Sequence, residues 1–174
     1  MKRLILIVGI LLAVAGGFAC AEETEGPPSG WKTYQNDEHG FQLYYPSDWE
    51  KIYPAGIIVG FRDPEADEFQ ENVVIVIESC GGMSLEEYVA QNRQILLAAI
   101  PELTISNEND IRVHGTKGHE WIGRWTLEDV NLKQKQVMFV AHQKGYVLTC
   151  SASENTYGGY GYTFDEIINS FVIE

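Results

Sequence analysis

The chain lacks the residues from which most recognisable chemistry starts. No G-x-S-x-G elbow, no phosphate-cradling glycine loop and no C-x-x-C occurs, so hydrolase, nucleotide-binding and thioredoxin-type readings have no starting residue. Cysteine is scarce, three in 174 residues. Lysine and arginine number 12 against 25 aspartates and glutamates, a net charge of −13. Such a surface repels phosphate backbones and anionic headgroups alike, which argues against nucleic acid as a ligand. The longest apolar run, residues 4–19, falls short of the roughly 20 residues that span a bilayer comfortably. No catalytic constellation emerges, so the sequence predicts a binding protein and not an enzyme. It also predicts no cofactor beyond weak binding of a divalent cation.

What is present begins with that apolar run. It follows Met1-Lys2-Arg3 and ends in small residues, the layout of a secretory signal, so residues 1–19 are predicted to be an export signal. An uncleaved anchor is the weaker option. Two cleavage chemistries compete at its end. Ala19-Cys20-Ala21 fits an A-x-A-like site, whose use would discard Cys20. Gly17-Phe18-Ala19-Cys20 resembles the signal of bacterial lipoproteins, with Gly17 and Phe18 where that signal favours an aliphatic and a small residue. Removal before Cys20 would then expose its thiol and amine to acylation, and two or more acyl chains give stable attachment. Residues 20–30 favour this second route, being short, acidic and suited to a tether that lifts a domain off a membrane. The expected location is extracytoplasmic, in the cell envelope, with membrane attachment through a lipidated Cys20.

Lys2 and Arg3 are the only charges in the leader, so the remaining 155 residues carry two fewer positive charges, −15. That length is one ordinary domain, predicted over residues 31–174. Cys80 and Cys150 then sit in an exported domain, where an even pair is a candidate disulfide; two buried free thiols are the alternative.

Alternation marks strands at 40–46, 49–53 and 57–62, each bounded by proline-containing turn chemistry. Val73-Val74-Ile75-Val76-Ile77 has no polar face and predicts a strand covered on both sides. Ser84-Leu85-Glu86-Glu87 is a capping box opening a helix that Pro101 stops. The same device at Thr163-Phe164-Asp165-Glu166 predicts a short C-terminal helix. Between them, strands are expected at 103–106, 111–114, 119–126, 136–142 and 146–152. Antiparallel strands interrupted by a central helix and closed by a terminal one describe an α+β layered sandwich.

Three stretches invite functional readings. Asp63, Glu65 and Asp67 alternate as in a calcium loop, but Glu68 stands where the turn needs glycine and Val74 where a bidentate glutamate is needed. A solvated acidic loop, at most a weak cation site, is the outcome. His119-Glu120-Trp121-Ile122-Gly123 starts like a zinc-protease helix, lacks its second histidine and lies in a predicted strand. His114 and His119 read as surface or hairpin histidines, two imidazoles that fall short of a closed zinc site even if they approach across the hairpin, while His39 and His142 are unplaced. Asn155-Thr156-Tyr157-Gly158-Gly159-Tyr160-Gly161-Tyr162 reads as a loop offering Tyr157, Tyr160 and Tyr162 to a partner, or else packing tyrosines back onto the sheet.

From Val113 onward the chain resembles the PsbP/DcrB-like family. Gly115, Gly118, Gly145, Tyr146, Leu148, Ala152, Tyr157, Phe164, Ile168, Ser170 and Phe171 carry the resemblance, together with Gly40-Phe41, Tyr45-Pro46 and Trp49 upstream. The resemblance implies an α/β/α sandwich with a central, mainly antiparallel sheet, one long central helix and a C-terminal helix. Its named branch is an extrinsic subunit docked on photosystem II that helps retain calcium and chloride, and a nuclear-transport relative binds a small GTPase. Many prokaryotic relatives are lipoproteins. The implied role is docking on a larger envelope or membrane complex, with an extrinsic photosystem-type subunit or an uncharacterised enzyme as alternatives. The matched positions imply architecture and no binding site.

Overall fold

The computed structural model describes residues 26–65 and 69–174. The leader, Cys20 with most of the acidic tether, and Asp67 lie outside the described residues. The elements run β1 (Trp31–Asn36), β2 (Phe41–Pro46), β3 (Glu50–Ile52), β4 (Val59–Arg62), β5 (Asn72–Ser79), α1 (Leu85–Ala99), β6 (Thr104–Val113), β7 (Thr116–Leu127), β8 (Val130–Ala141), β9 (Lys144–Ser153), α2 (Tyr157–Asn169) and β10 (Val172–Ile173). Seven strands form one antiparallel sheet in the order β3-β4-β5-β9-β8-β7-β6, and β1, β2 and β10 form a smaller one.

Side-chain alternation decides the layering. Along β9, Tyr146, Leu148, Cys150 and Ala152 enter the main core with Phe41 and Leu43 of β2 and Phe164, Ile167 and Ile168 of α2. Val147 points the other way and joins Tyr88 and Val89 of α1, Trp121 and Met138. The predicted α/β/α order is therefore present, with the three-stranded sheet sharing the layer of α2. The β-branched run in β5 is covered unequally. Val73 and Ile75 are fully buried on the α2 side, while Val74 and Val76 are only half-buried towards α1.

The capping box of α1 is formed: the Glu87 amide donates to Ser84 Oγ at 3.2 Å and the Ser84 amide to Glu87 Oε2 at 2.8 Å. The second capping box is a correction. Thr163 lies inside α2, which starts six residues earlier at Tyr157, without a side-chain cap from Thr156. The apolar stripe of Phe164, Ile167 and Ile168 extends back at helical spacing through Tyr160 to Tyr157. Packing of that longer stripe outweighs the local signal at Thr163.

Strands β6 to β9 form a meander joined by three two-residue turns, at His114-Gly115, Glu128-Asp129 and His142-Gln143. Both central residues of each have positive φ, between 46° and 82°, the twist-matched geometry for hairpins. The break expected at 107–110 is instead a bulge within one continuous strand, with Asn107 at φ 50°.

Candidate docking surface

The acidic loop and the tyrosine stretch meet each other. Asp63 Oδ1 accepts from the Glu65 amide at 2.8 Å, and its Oδ2 accepts from the Tyr160 hydroxyl at 2.7 Å. The Tyr160 ring stacks on Phe164 with centroids 5.9 Å apart and approaches Trp49. Tyr157 is buried, with the Lys133 ammonium 4.0 Å above its ring. Tyr162 is 69 % exposed. The three rings are thus divided: two anchor α2, and one faces solvent. The stretch is helix and not loop because its aromatic spacing follows the turn of α2.

A second carboxylate from the same β4–β5 connection reinforces this joint. Glu71 is buried, and its carboxylate accepts from the Thr156 hydroxyl, which also meets Ser153 Oγ at 2.8 Å. That hydrogen bond ties the β4–β5 connection to Thr156, the residue before α2. Asp63 and Glu71 therefore serve α2. Among the described residues, no group of three or more histidine, cysteine, aspartate or glutamate side chains is arranged to hold a metal.

Cys80 and Cys150 are buried free thiols in different clusters, on opposite faces of the sheet. Cys150 pairs with Val73, seven positions before Cys80. At about 3.3 Å per residue the two lie far beyond the α-carbon separation of about 7 Å that a bridge tolerates. The candidate disulfide is corrected accordingly. Burial pushes the Cys150 thiol pKa well above its ordinary value, leaving it inert.

The histidines separate too. His114 occupies a turn, whereas His119 faces Asp110 across the β6–β7 ladder. His119 Nδ1 is 3.1 Å from Asp110 Oδ1, and its Nε2 is 3.5 Å from Glu108 Oε2 without a hydrogen bond. His39 and His142 line one cleft of about 350 Å³ at the end of β5.

The surface that sequence reasoning missed is α1 with the β6 bulge. Of its fifteen residues only Tyr88 and Val89 are buried, while Ile95 and Leu97 are 57 % and 40 % exposed. An open groove of about 580 Å³ runs from Gly82 and Met83 along Ala90, Gln91 and Gln94. A smaller one of about 240 Å³ separates Leu85 and Val89 from Glu108, Asp110 and His119. Charges strap the helix over it. Arg93 of α1 binds Glu108 and sits 5.2 Å over the Trp121 ring, and Lys117 Nζ bridges Glu86 at 2.8 Å and Asp110 at 3.2 Å. The Lys117 hydrogen bond lowers the Glu86 pKa; His119 first, then Lys117, lowers that of Asp110. Among the described residues, the buried polar side-chain atoms without a hydrogen-bond partner are His119 Nε2, Trp121 Nε1 and Gln136 Oε1. Trp121 and Gln136 are cross-strand partners two positions from His119, so all three belong to the α1 face. Their signal in the sequence was His119 two positions from Trp121 in one predicted strand; the register that joins them to β6 and β8 was not readable.

The fold has solved counterparts. Cyanobacterial PsbP (CyanoP) from Synechocystis sp. PCC 6803 superposes with a TM-score of 0.65 at 17% identity, covering 83% of this chain and 93% of that one. The protein of unknown function PA94 from Pseudomonas aeruginosa gives 0.62 at 18%, covering 83% and 97%. LpqN, involved in cell envelope biogenesis of Mycobacterium tuberculosis, gives 0.61 at 16%, covering 82% and 90%. Among curated proteins no relative matches. These likenesses show a PsbP-like fold, and the DcrB sequence profile matches residues 59–170, β4 to the end of α2. The chain belongs to the DcrB family.

Proposed function

We propose that the protein is an exported, lipid-tethered accessory domain that docks on a larger complex of the cell envelope, using α1 as its contact surface. The observation that carries this reading is the sparse burial of α1, a helix about 22 Å long that presents Ile95 and Leu97 outward beside an open groove. Exposed Ile95 and Leu97 flanking a mostly polar outer face suit a protein partner better than a small substrate. The leader and the Gly17-Phe18-Ala19-Cys20 signal support export and tethering. Among the described residues no helix is long and apolar enough to cross a membrane. On this reading Cys20 carries the attachment. The envelope role stated for LpqN agrees with it. Fold likeness to cyanobacterial PsbP favours a second reading, an extrinsic photosystem-type subunit.

Mild crosslinking in cells followed by recovery of the tethered chain tests the proposal. A stoichiometric membrane-complex partner is expected from the wild type and is lost in Ile95→Glu/Leu97→Glu with unchanged circular dichroism. The composition of that complex separates the two readings. No partner, together with turnover in an unbiased substrate screen, overturns both in favour of an enzyme.

A further inference from the structure

We propose that His119 is the proton-responsive element of a latch that holds α1 against β6 and β7. The geometry carries it. Each ring nitrogen faces a carboxylate, Nδ1 at 3.1 Å from Asp110 Oδ1 and Nε2 at 3.5 Å from Glu108 Oε2. A neutral imidazole has one N–H, so with its proton on Nδ1 it serves Asp110 and turns the Nε2 lone pair towards an anion. Only the imidazolium donates to both carboxylates. The Nε2 atom is buried and makes no hydrogen bond, so it has no water-exposed alternative.

Glu108 transmits the state of the ring, because the same Oε2 atom binds Arg93 of α1. The remaining charges around His119 are Lys117 on β7, paired with Asp110 and Glu86, and Glu86 on α1. Its register partner on β8 is Met138, and along β7 the ring meets the edge of Trp121, neither of which titrates. With the ring protonated, Glu108 is held between His119 and Arg93, and α1 is pinned to the β6 bulge. Loss of the proton sets a lone pair against Glu108, frees its carboxylate towards solvent and loosens Arg93. Apart from Tyr88 and Val89, with Leu85 and Leu96 partly covered beside them, α1 buries little, so this strap adds to what seats the helix. Acidification closes the latch and alkalinisation opens it.

Amide hydrogen exchange of the full-length chain at pH about 5.5 and about 8, each rate normalised to its intrinsic value, tests this. The amides of α1 are expected to be roughly two- to fivefold better protected at the lower pH relative to those of β9, the span of a partly exposed ion pair. His119→Gln abolishes the difference, and His114→Asn retains it. Glu108→Gln, which keeps the ring in place, also abolishes it and stands in if His119→Gln does not fold. Equal protection of wild-type α1 at both pH values, or a difference that survives in these His119 and Glu108 variants, overturns the proposal.

Discussion

A glycine decides whether α1 can sit on the sheet at all. A Cβ at Gly145 would lie 2.2 Å from Tyr88 Cζ, so the phenol of α1 occupies the space that every other residue would fill. The hydroxyl reaches past it to donate to Glu78 Oε1 at 2.8 Å. Burial, and then that hydrogen bond, push the Tyr88 pKa far up, so the phenol stays a donor. Gly145→Ala is expected to cost about 1–3 kcal/mol, as overpacking does, by expelling the ring. Urea unfolding measures this, and Tyr88→Phe should cost less, because Glu78 is exposed and water can replace its lost partner. Gly118 plays the same part for Phe139, whose Cε1 would lie 2.5 Å from an added Cβ. Both glycines were legible as positions shared with the PsbP/DcrB-like family, but not their reason, because each answers to a side chain distant in sequence.

At the scale of elements, α2 shows a local conflict that packing has won. Gly158, Gly159 and Gly161 fall in its first turns with helical φ and with open space where a Cβ would stand. Nothing steric requires them there. Glycine in a helix costs roughly 0.5–1 kcal/mol relative to alanine, so Gly159→Ala and Gly161→Ala are each expected to stabilise the domain by about that amount, read as a rise in the urea midpoint at constant m. Those glycines also hid the start of α2, whereas α1 was legible because its capping box is a local signal that the structure keeps. The first half of β8 was hidden for another reason. Gln134 and Gln136 hold buried positions, where Gln134 Oε1 accepts from the Trp125 indole N–H at 3.2 Å and Gln136 Nε2 donates to Thr149 Oγ1 at 3.0 Å, so no apolar alternation marked the strand. The His119 cluster escaped because a bulge at 106–109 sets which β6 residue meets His119. A one-residue change of register would send Asp110 to the other face.

For the whole molecule, the mass of the mature chain joins several readings in one measurement. On the proposed tether, the chain begins at an acylated Cys20, fractionates with membranes, and becomes soluble in Cys20→Ser. Reductant leaves its mass unchanged in either form, since Cys80 and Cys150 are apart. A mature chain beginning after Cys20 would end the lipid-tether reading and leave the fold untouched. Net charge and the two-layer covering of the sheet were legible from composition and from β5. The pairing of chain ends was not, because β10 is two residues long and carries no pattern of its own.

That pairing governs when the two sheets can close. Strand β2 finds a neighbour in β10, the Glu174 amide reaches back to the Gly40 carbonyl, and β5 lies against β9. A polypeptide emerging from its N-terminal end therefore holds β5 without its inner neighbour until the stretch around residue 150 appears. The meander of β6 to β9, closed by three tight turns, can assemble from nearby contacts alone. The hairpin of β1 with β2 and the run β3-β4-β5 can pair early in the same way, but neither sheet is complete until β9 and β10 are present.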